Sequence, residues 1–283
     1  MPRTFLRPAH LWIALALSGP LATGVVRAGP VEPPSEWTTR HTRADYTLKS
    51  ATPVFITNLV GDVRVRGTLA AELTVITVTQ KKNADPQEPI IEVGHLTPAH
   101  VNVSFPEELP PGVYDFSGQR RVDLTVFVPS GSPVSITTGS GLIDARGAPG
   151  EVTACSDTGP IRVSTKGVIT ARSQRGNITA VIGDLGRGRH YRLASEAGQV
   201  TVRLPREGAA LVTAETSGSV ASDFSMVVQQ KPTSTVKQAK IQVHTGWWRR
   251  WVTGWFSARS YVELKSVKGN VNVLGPLPEL NEP

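Results

Sequence analysis

The sequence predicts an all-β protein whose short strands stack into a coil of the β-solenoid or β-roll kind. Val, Ile and Thr alternate with polar residues along much of the 283-residue chain, which is the period of a β-strand. Seven segments also share a glycine that is followed, two positions later, by Val or Ile. The glycines between residues 141 and 218 lie 18, 17, 22 and 20 residues apart, a spacing typical of stacked repeats.

Each segment predicts a strand, a polar corner with the glycine, and a second strand. Apolar side chains are expected to face inward seven and five positions before the glycine, and two and four positions after it. A short polar residue three positions before the glycine is expected to bond to the turn backbone. The glycine itself is expected to adopt a positive φ. The seven glycines are Gly61, Gly141, Gly159, Gly176, Gly198, Gly218 and Gly269.

The same rules fix the inward side chains of every segment. For Gly159 they select Val152, Ala154 and Ser156 before the glycine, and Ile161 and Val163 after it. For Gly218 they select Leu211, Thr213, Glu215, Val220 and Ser222. We expect neighbouring units to pair in parallel, so that like positions stack in columns and form one core. A β-sandwich also alternates with period two, but it gives no reason for seven units in the same register.

Two stretches interrupt the repeats and set the predicted boundaries. Residues 68–130 keep the alternation but lose the glycines, which predicts inserted antiparallel strands joined by Pro-rich loops. Residues 225–260 form a Trp-rich insertion. The predicted organisation is a leader at 1–28, a linker at 29–45, the repeat domain at 46–275 and a frayed tail at 276–283.

The N-terminus predicts export. Arg3 and Arg7 precede an apolar run that Gly19 and Pro20 interrupt, and small residues precede a cleavage point after Ala28. Removal of the leader lowers the formal net charge from +7 to +4, because three arginines and no acids lie within it. That charge is too small to predict nucleic-acid binding. The single cysteine, Cys155, excludes an internal disulfide.

The repeat pattern resembles a known family. Units such as "SGSVASDF" at 217–224 and "KGNVNVLG" at 268–275 are similar to those of the bacterial putative-adhesin family, a domain family of unknown function. The resemblance covers roughly residues 54–274 and implies a right-handed parallel β-helix-like fold, attachment to the cell envelope or export, and adhesion. It brings no catalytic residues with it. The Trp-rich insertion departs from the family pattern.

Two groups of residues are candidate contact sites. Outward arginines are expected to align in rows that suit an anionic glycan: Arg64, Arg66, Arg146, Arg162 and Arg203. The insertion predicts a helix with one aromatic half and one basic half, for a membrane surface, a partner groove or an end cap of the coil. Its residues are Trp247, Trp248, Arg249, Arg250, Trp251, Trp255 and Phe256.

The interpretation that follows is an exported, non-enzymatic binding or scaffold module of the cell envelope, with the periplasm as its expected location. Its expected partners are envelope polysaccharide, a membrane surface or another envelope protein, with no cofactor, no metal and no nucleic acid. The alternatives are a polysaccharide-active β-helix enzyme and a scaffold held at the membrane by the Trp-rich segment. An enzyme of that kind would need convergent carboxylates, and the sequence offers only offset acids such as Asp62, Asp144 and Asp223.

The alternation predicts opposite outcomes for two neighbouring residues. Ile161→Asp is expected to unfold or severely destabilise the chain, because it buries an unpaired charge. Arg162→Asp changes an outward residue and should cost little. Urea unfolding of both variants measures the difference, and equal large losses would contradict the inward and outward assignment.

Overall fold

The computed structural model describes residues 36–49, 51–106, 119–148, 150–230, 234–245 and 260–276, and all regular elements in these ranges are strands. They form two mixed sheets, so the chain is all-β as predicted. Sheet 1 contains β1 (Trp37–Thr47), β3 (Val63–Thr68), β4 (Glu72–Lys82), β7 (Arg120–Pro129), β9 (Ile143–Ala148), β11 (Ile161–Thr165), β13 (Ile178–Ile182), β15 (Val200–Arg203), β17 (Val220–Ser222) and β21 (Val271–Leu274).

Sheet 2 has eleven strands. They are β2 (Val54–Val60), β5 (Ile90–Gly94), β6 (Ala99–Ser104), β8 (Val134–Ser140), β10 (Val152–Ser156), β12 (Ile169–Ser173), β14 (His190–Ser195), β16 (Gly208–Thr216), β18 (Met226–Gln230), β19 (Lys237–Thr245) and β20 (Ser260–Ser266). We call one strand of sheet 2, its glycine corner and the following strand of sheet 1 a rung.

The central rungs pair in parallel and in register. Val152 of β10 lies beside Ile169 of β12, and Ala154 lies beside Ala171. On the other sheet Ile161 of β11 lies beside Ile178 of β13. These side chains are fully buried and belong to one continuous apolar core. Equivalent side chains therefore pack against each other from rung to rung, which is why the apolar residues recur at fixed distances from each glycine.

The corner glycines follow one another through the stack at backbone contact. A Cβ built on Gly159 would lie 1.7 Å from the carbonyl oxygen of Gly141, and one on Gly176 would lie 1.9 Å from that of Gly159. The same contact continues through Gly198 and Gly269 to Gly218. The expectation of positive φ is correct only for Gly61 and Gly141. At the other five corners the glycine is required because the neighbouring backbone occupies the space of a side chain.

Buried hydroxyl groups complete five of the seven corners. The hydroxyls of Ser156, Ser173 and Ser195 accept hydrogen bonds of 2.8 to 2.9 Å from the backbone N–H of the glycine three residues later. The hydroxyl of Ser195 also donates to the carbonyl oxygen of Gly176 on the neighbouring rung. The short polar residue therefore satisfies backbone groups that the tight corner would otherwise leave unpaired in the core.

Spatial order differs from chain order at the C-terminal end. In sheet 2, β20 lies between β14 and β16, and in sheet 1, β21 lies between β15 and β17. The last rung in sequence therefore fills a gap between the two rungs that precede it. Sequence spacing could not indicate this order, because every rung presents the same kinds of side chain to its neighbours.

The corner of the Gly218 rung is one residue shorter than predicted. Thr216, two residues before the glycine, accepts the bond from the Gly218 N–H. The strand register moves by one residue as a result. The inward assignment of Leu211, Thr213 and Glu215 is therefore wrong, and the side chains that face inward are Val212, Ala214 and Thr216.

The N-terminal insertion contains the predicted antiparallel strands. β4 pairs antiparallel with β7, β5 pairs antiparallel with β6, and β7 in turn lies parallel to β3. The linker predicted at 29–45 differs from the structure, because β1 begins at Trp37 and pairs with β4 along its length. Polar residues on the inward side of β1 hide its alternation from a hydrophobic pattern.

A buried ion pair lies at this end of the core. The Arg120 Nε is 2.8 Å from the Asp85 carboxylate, and both side chains are almost completely buried. The Arg120 guanidinium also lies over the Phe105 ring, 5.6 Å from its centroid. Asp85 comes from the loop between β4 and β5, so the pair fixes that loop across the first rungs. Breaking such a pair leaves an uncompensated buried charge.

The predicted Trp-rich insertion at 225–260 contains two strands, β18 and β19, which extend sheet 2 beyond β16. The aromatic residues themselves, the predicted leader at 1–28 and most of the predicted tail at 276–283 lie outside the described residues. Among the described residues, no helix is long and apolar enough to cross a membrane.

The glycine contacts predict a specific stability result. Gly159→Ala should lower the free energy of unfolding by about 3 kcal/mol, because its methyl group would overlap the Gly141 carbonyl. Gly131→Ala is the matched control, since Gly131 has a φ of 84° and a Cβ added there would meet no atom within 4 Å. It should cost about 1 kcal/mol for backbone strain alone. Equal costs in chemical denaturation would mean that backbone conformation, and not contact, selects glycine at the corners.

Candidate functional site

All five predicted arginines lie on the outer face of sheet 1. The strand register aligns Arg64 with Asp144 and then Arg162 across β3, β9 and β11. A second outward row contains Arg66, Arg146 and, further along, Arg203. Neighbouring strands in a sheet are separated by about 4.8 Å, so side chains on adjacent strands of a row are within reach of each other, but Arg203 lies three strands from Arg146.

The centre of this face is an ion-paired cluster around Asp144. The carboxylate accepts a hydrogen bond of 2.8 Å from Arg66 Nη2 and another of 2.8 Å from Arg146 Nε. Only 6% of the Asp144 side chain is exposed, because the two guanidinium groups cover it. Arg66 also donates to the backbone carbonyl of Asp144. Two of the five predicted arginines are thus committed to a carboxylate of the protein itself.

A second ion-paired group lies beside the first at the corner of β3. Arg64 contacts Asp62 at 3.0 Å, and Arg121 contacts both Asp62 and Asp123 at 2.9 and 2.7 Å. The two carboxylates also bind backbone donors, since Asp123 accepts from the Asp62 N–H and Asp62 from the Leu142 N–H. These acids therefore join neighbouring rungs at the corner, in addition to neutralising the arginines.

Arg121 and Asp123 were missed by the sequence reasoning. They stand at alternate positions of "RRVDLTVFVP" and so point outward beside β3, but the glycine pattern does not extend to this strand. Their alternation with buried Val122 and Leu124 is the signal that could have found them. With them, four arginines and three aspartates occupy the region, which leaves a formal charge of 4 − 3 = +1.

Burial and ion pairing act in opposite directions on the Asp144 carboxyl. Burial alone raises its pKa, but the hydrogen bonds and charges of Arg146 and Arg66 outweigh burial and hold the pKa below its ordinary value of 3.8. A general acid for glycoside cleavage needs a raised pKa. Asp144 therefore has the electrostatics of a structural carboxylate.

The face changes character from β11 onwards. Arg162 is exposed and has no side-chain partner among the described residues, while Arg203 donates to the Gly275 carbonyl at 2.8 Å. Arg162 aligns with Thr179, Thr201 and Asn272 on β13, β15 and β21. We call these four residues the polar row. It presents one guanidinium, two hydroxyls and one amide on consecutive strands, with no carboxylate among them.

The outer face of sheet 2 offers a different surface. Its outward residues include Thr153, Thr170, Arg192 and Glu263, and the last two form an exposed ion pair at 2.9 Å. Cys155 lies half-buried on this face, and burial raises the pKa of its thiol. The thiol is therefore the form present at neutral pH, as in an inert structural cysteine.

The remaining sequence candidates do not form a site in the described part of the chain. There, no group of three or more His, Cys, Asp and Glu side chains could hold a metal ion. Asp223 lies at the far end of sheet 1, where it accepts a bond from the Gly275 N–H. The aromatic and basic residues at 247–256 lie outside the described residues.

Comparisons with known proteins give only distant similarities. No protein-family model matches the chain, and no curated protein matches its sequence. A crystal structure of a putative cell adhesion protein from Clostridium sporogenes is similar over 84% of this chain and all of that chain, with 12% identity and a TM-score of 0.49. A putative adhesin from Bacteroides fragilis matches over 84% of this chain and 97% of its own, at 12% identity and a TM-score of 0.29.

The Asp144 cluster predicts a pH-dependent contribution to stability. Because the folded-state pKa is depressed, the contribution is complete above about pH 4 and is lost as the pH falls through the folded value. Asp144→Asn should lower the free energy of unfolding at pH 7 by about 2 kcal/mol. Its difference from the wild type should shrink below pH 4 in urea titrations. Glu151→Gln removes an exposed carboxylate at a corner and is the control, which should leave the free energy of unfolding at pH 7 nearly unchanged.

Proposed function

We propose that this protein is an exported, non-enzymatic binding or scaffold module of the bacterial cell envelope, and that its strands wind as a right-handed parallel β-helix-like solenoid. The observation that carries the proposal is the polar row, Arg162, Thr179, Thr201 and Asn272, on the outer face of sheet 1. It places a hydrogen-bonding side chain on each of four neighbouring strands and leaves one guanidinium uncommitted. An extended polymer with acidic groups is the ligand class that suits this row.

The chemistry of the row favours a polysaccharide with carboxylate or phosphate groups. Hydroxyl and amide side chains can donate to and accept from sugar hydroxyls, and a guanidinium binds an anionic group through two parallel hydrogen bonds. The strands that hold these side chains are parallel and in register, so the row is straight and its spacing is regular. A chain molecule with a regular repeat matches such a row better than a compact ligand does.

The environment of the carboxylates on this face supports a binding function without catalysis. Hydrolysis or elimination on a polysaccharide requires acids that can donate or accept protons at the bond that breaks. On this face Asp62, Asp123 and Asp144 are each held by arginine, and two of them also bind backbone donors. The leader predicted at residues 1–28 supports export, with the periplasm as the destination.

A binding experiment tests this function. The purified chain should bind immobilised polygalacturonate and bind its carboxyl-reduced, neutral form at least tenfold more weakly. Arg162→Glu should reduce binding to the acidic polymer about tenfold, because it replaces a charge-assisted hydrogen bond by repulsion. Arg175→Glu makes the same charge change at an exposed corner outside the row and is the control.

Three results would contradict the proposal. Equal losses in the Arg162 and Arg175 variants would indicate binding by net charge alone. Equal binding of the acidic and neutral polymers would remove the role of the guanidinium. Shortening of the polymer during incubation with the purified chain would identify an enzyme.

A further inference from the structure

The inward-facing residues become polar toward one end of the stack of rungs and remain apolar toward the other. At the N-terminal end of sheet 1, the inward residues become polar from strand to strand, because Thr77 and Thr79 of β4 are followed by Thr42 and Arg40 of β1. At the C-terminal end of sheet 2, the inward residues remain apolar. Buried Ala239 and Ile241 of β19 pair with Val228 and Met226 of β18, which is the last strand.

β18 is an exposed apolar edge. Within the described residues it pairs only with β19, and its other edge carries no neighbouring strand. Each of its faces exposes apolar side chains beside one glutamine: Met226 and Val228 lie on one side and Val227 on the other, with exposed fractions of 39%, 47% and 63%. The strand contains no charged residue and no proline. An edge of this kind is a template for pairing with another strand.

The other three sheet edges carry features that oppose pairing. β1 presents Arg40, Arg43 and Asp45, all exposed. β5 carries Glu92 at its centre, and β17 is only three residues long. Charged side chains and short length are the usual protections of an edge strand. Of the four described edges, β18 alone has neither.

We propose that β18 is a self-association surface, where two copies of the chain pair antiparallel about a two-fold axis at Val228. In this register Val228 lies beside Val228 of the second copy, and Met226 lies opposite Gln230. No like charges meet, whereas the same arrangement of β5 would place Glu92 against Glu92, which is unfavourable. A two-fold interface is closed, so the association stops at a dimer.

The dimer joins the two copies through sheet 2 and leaves the outer face of sheet 1 free. Backbone hydrogen bonds along five residues continue sheet 2 from one copy into the other. Val228 of each copy gains Val228 of the second copy as an apolar neighbour, at the place where the core would otherwise end in solvent. This inference is independent of the polar row, because none of its residues lies in β18.

Sedimentation velocity of the purified chain over a wide concentration range tests the dimer. The wild type should sediment as a reversible dimer, and Val228→Lys should raise the dissociation constant at least tenfold, because two lysines would face each other at the axis. Val267→Lys is the matched control, since Val267 is a corner valine with 46% exposure against 47% for Val228. It should leave the dimer unchanged, and thermal unfolding should show that both variants remain folded.

Cysteine cross-linking tests the register. In a Cys155→Ser background, Val228→Cys should form a disulfide-linked dimer under mild oxidation, since directly opposed strand residues meet the distance requirement for a disulfide. Gln230→Cys should not, because its copy lies about 14 Å away along the pair.

Four results would overturn the inference: a monomeric wild type, a dimer that survives Val228→Lys, open-ended assemblies, or equal cross-linking at both positions. None of them bears on polymer binding by Arg162. The failure of one proposal therefore leaves the other to be judged by its own experiment.

Discussion

Backbone contact at the glycine corners is the constraint on which the structure depends. Each rung approaches the next so closely at Gly159 and its equivalents that a single methyl group would overlap a carbonyl oxygen. The corner is therefore narrow, and small or medium side chains such as Ala154 and Val163 lie buried on the strands beside it. Such a corner has backbone donors that no strand can pair with. The buried hydroxyl of Ser156 or its equivalent supplies the missing acceptor, so the glycine and the serine form one structural unit.

The stack of rungs must also end, and its two ends are built differently. The N-terminal end changes gradually from Val122 through Thr79 to Arg40, so that the outermost strand already has a polar inward face. There the buried pair of Arg120 and Asp85 fixes the covering loop by charge instead of apolar contact. A buried ion pair has a specific geometry, but removing its charges from water costs free energy. Such a pair therefore suits the boundary of the core better than its centre.

The sequence allowed the inward columns to be predicted because they are a local property, repeated at fixed distances from each glycine. Six of the seven residues two positions after the glycine are fully buried, and the seventh, Val220, lies in the end strand β17. The order of the rungs is not local, since the Gly269 rung pairs between two rungs that precede it in the sequence. The shortened corner at Thr216 was missed for the opposite reason. There, the corner is one residue shorter than in the other rungs, so the inward positions of β16 shift by one residue. The kinds of residue in the segment stay the same, so the pattern does not reveal the shift.

The position of the candidate site could be predicted from the sequence, but its net charge could not. Alternation placed Arg64, Arg66 and Arg146 on one face, while their partners depend on which strands become neighbours. Asp144 reaches Arg66 only because β3 and β9 are adjacent, although 78 residues separate the two in sequence. Outward side chains take no part in the glycine corners, so the corner packing does not restrict their chemistry. Around β3 and β9 the outward arginines form ion pairs that hold neighbouring strands together, and these pairs neutralise most of the charge that an anionic ligand would contact. From β11 onwards the described outward side chains of sheet 1 form no ion pairs, and it is on this part of the face that the polar row lies.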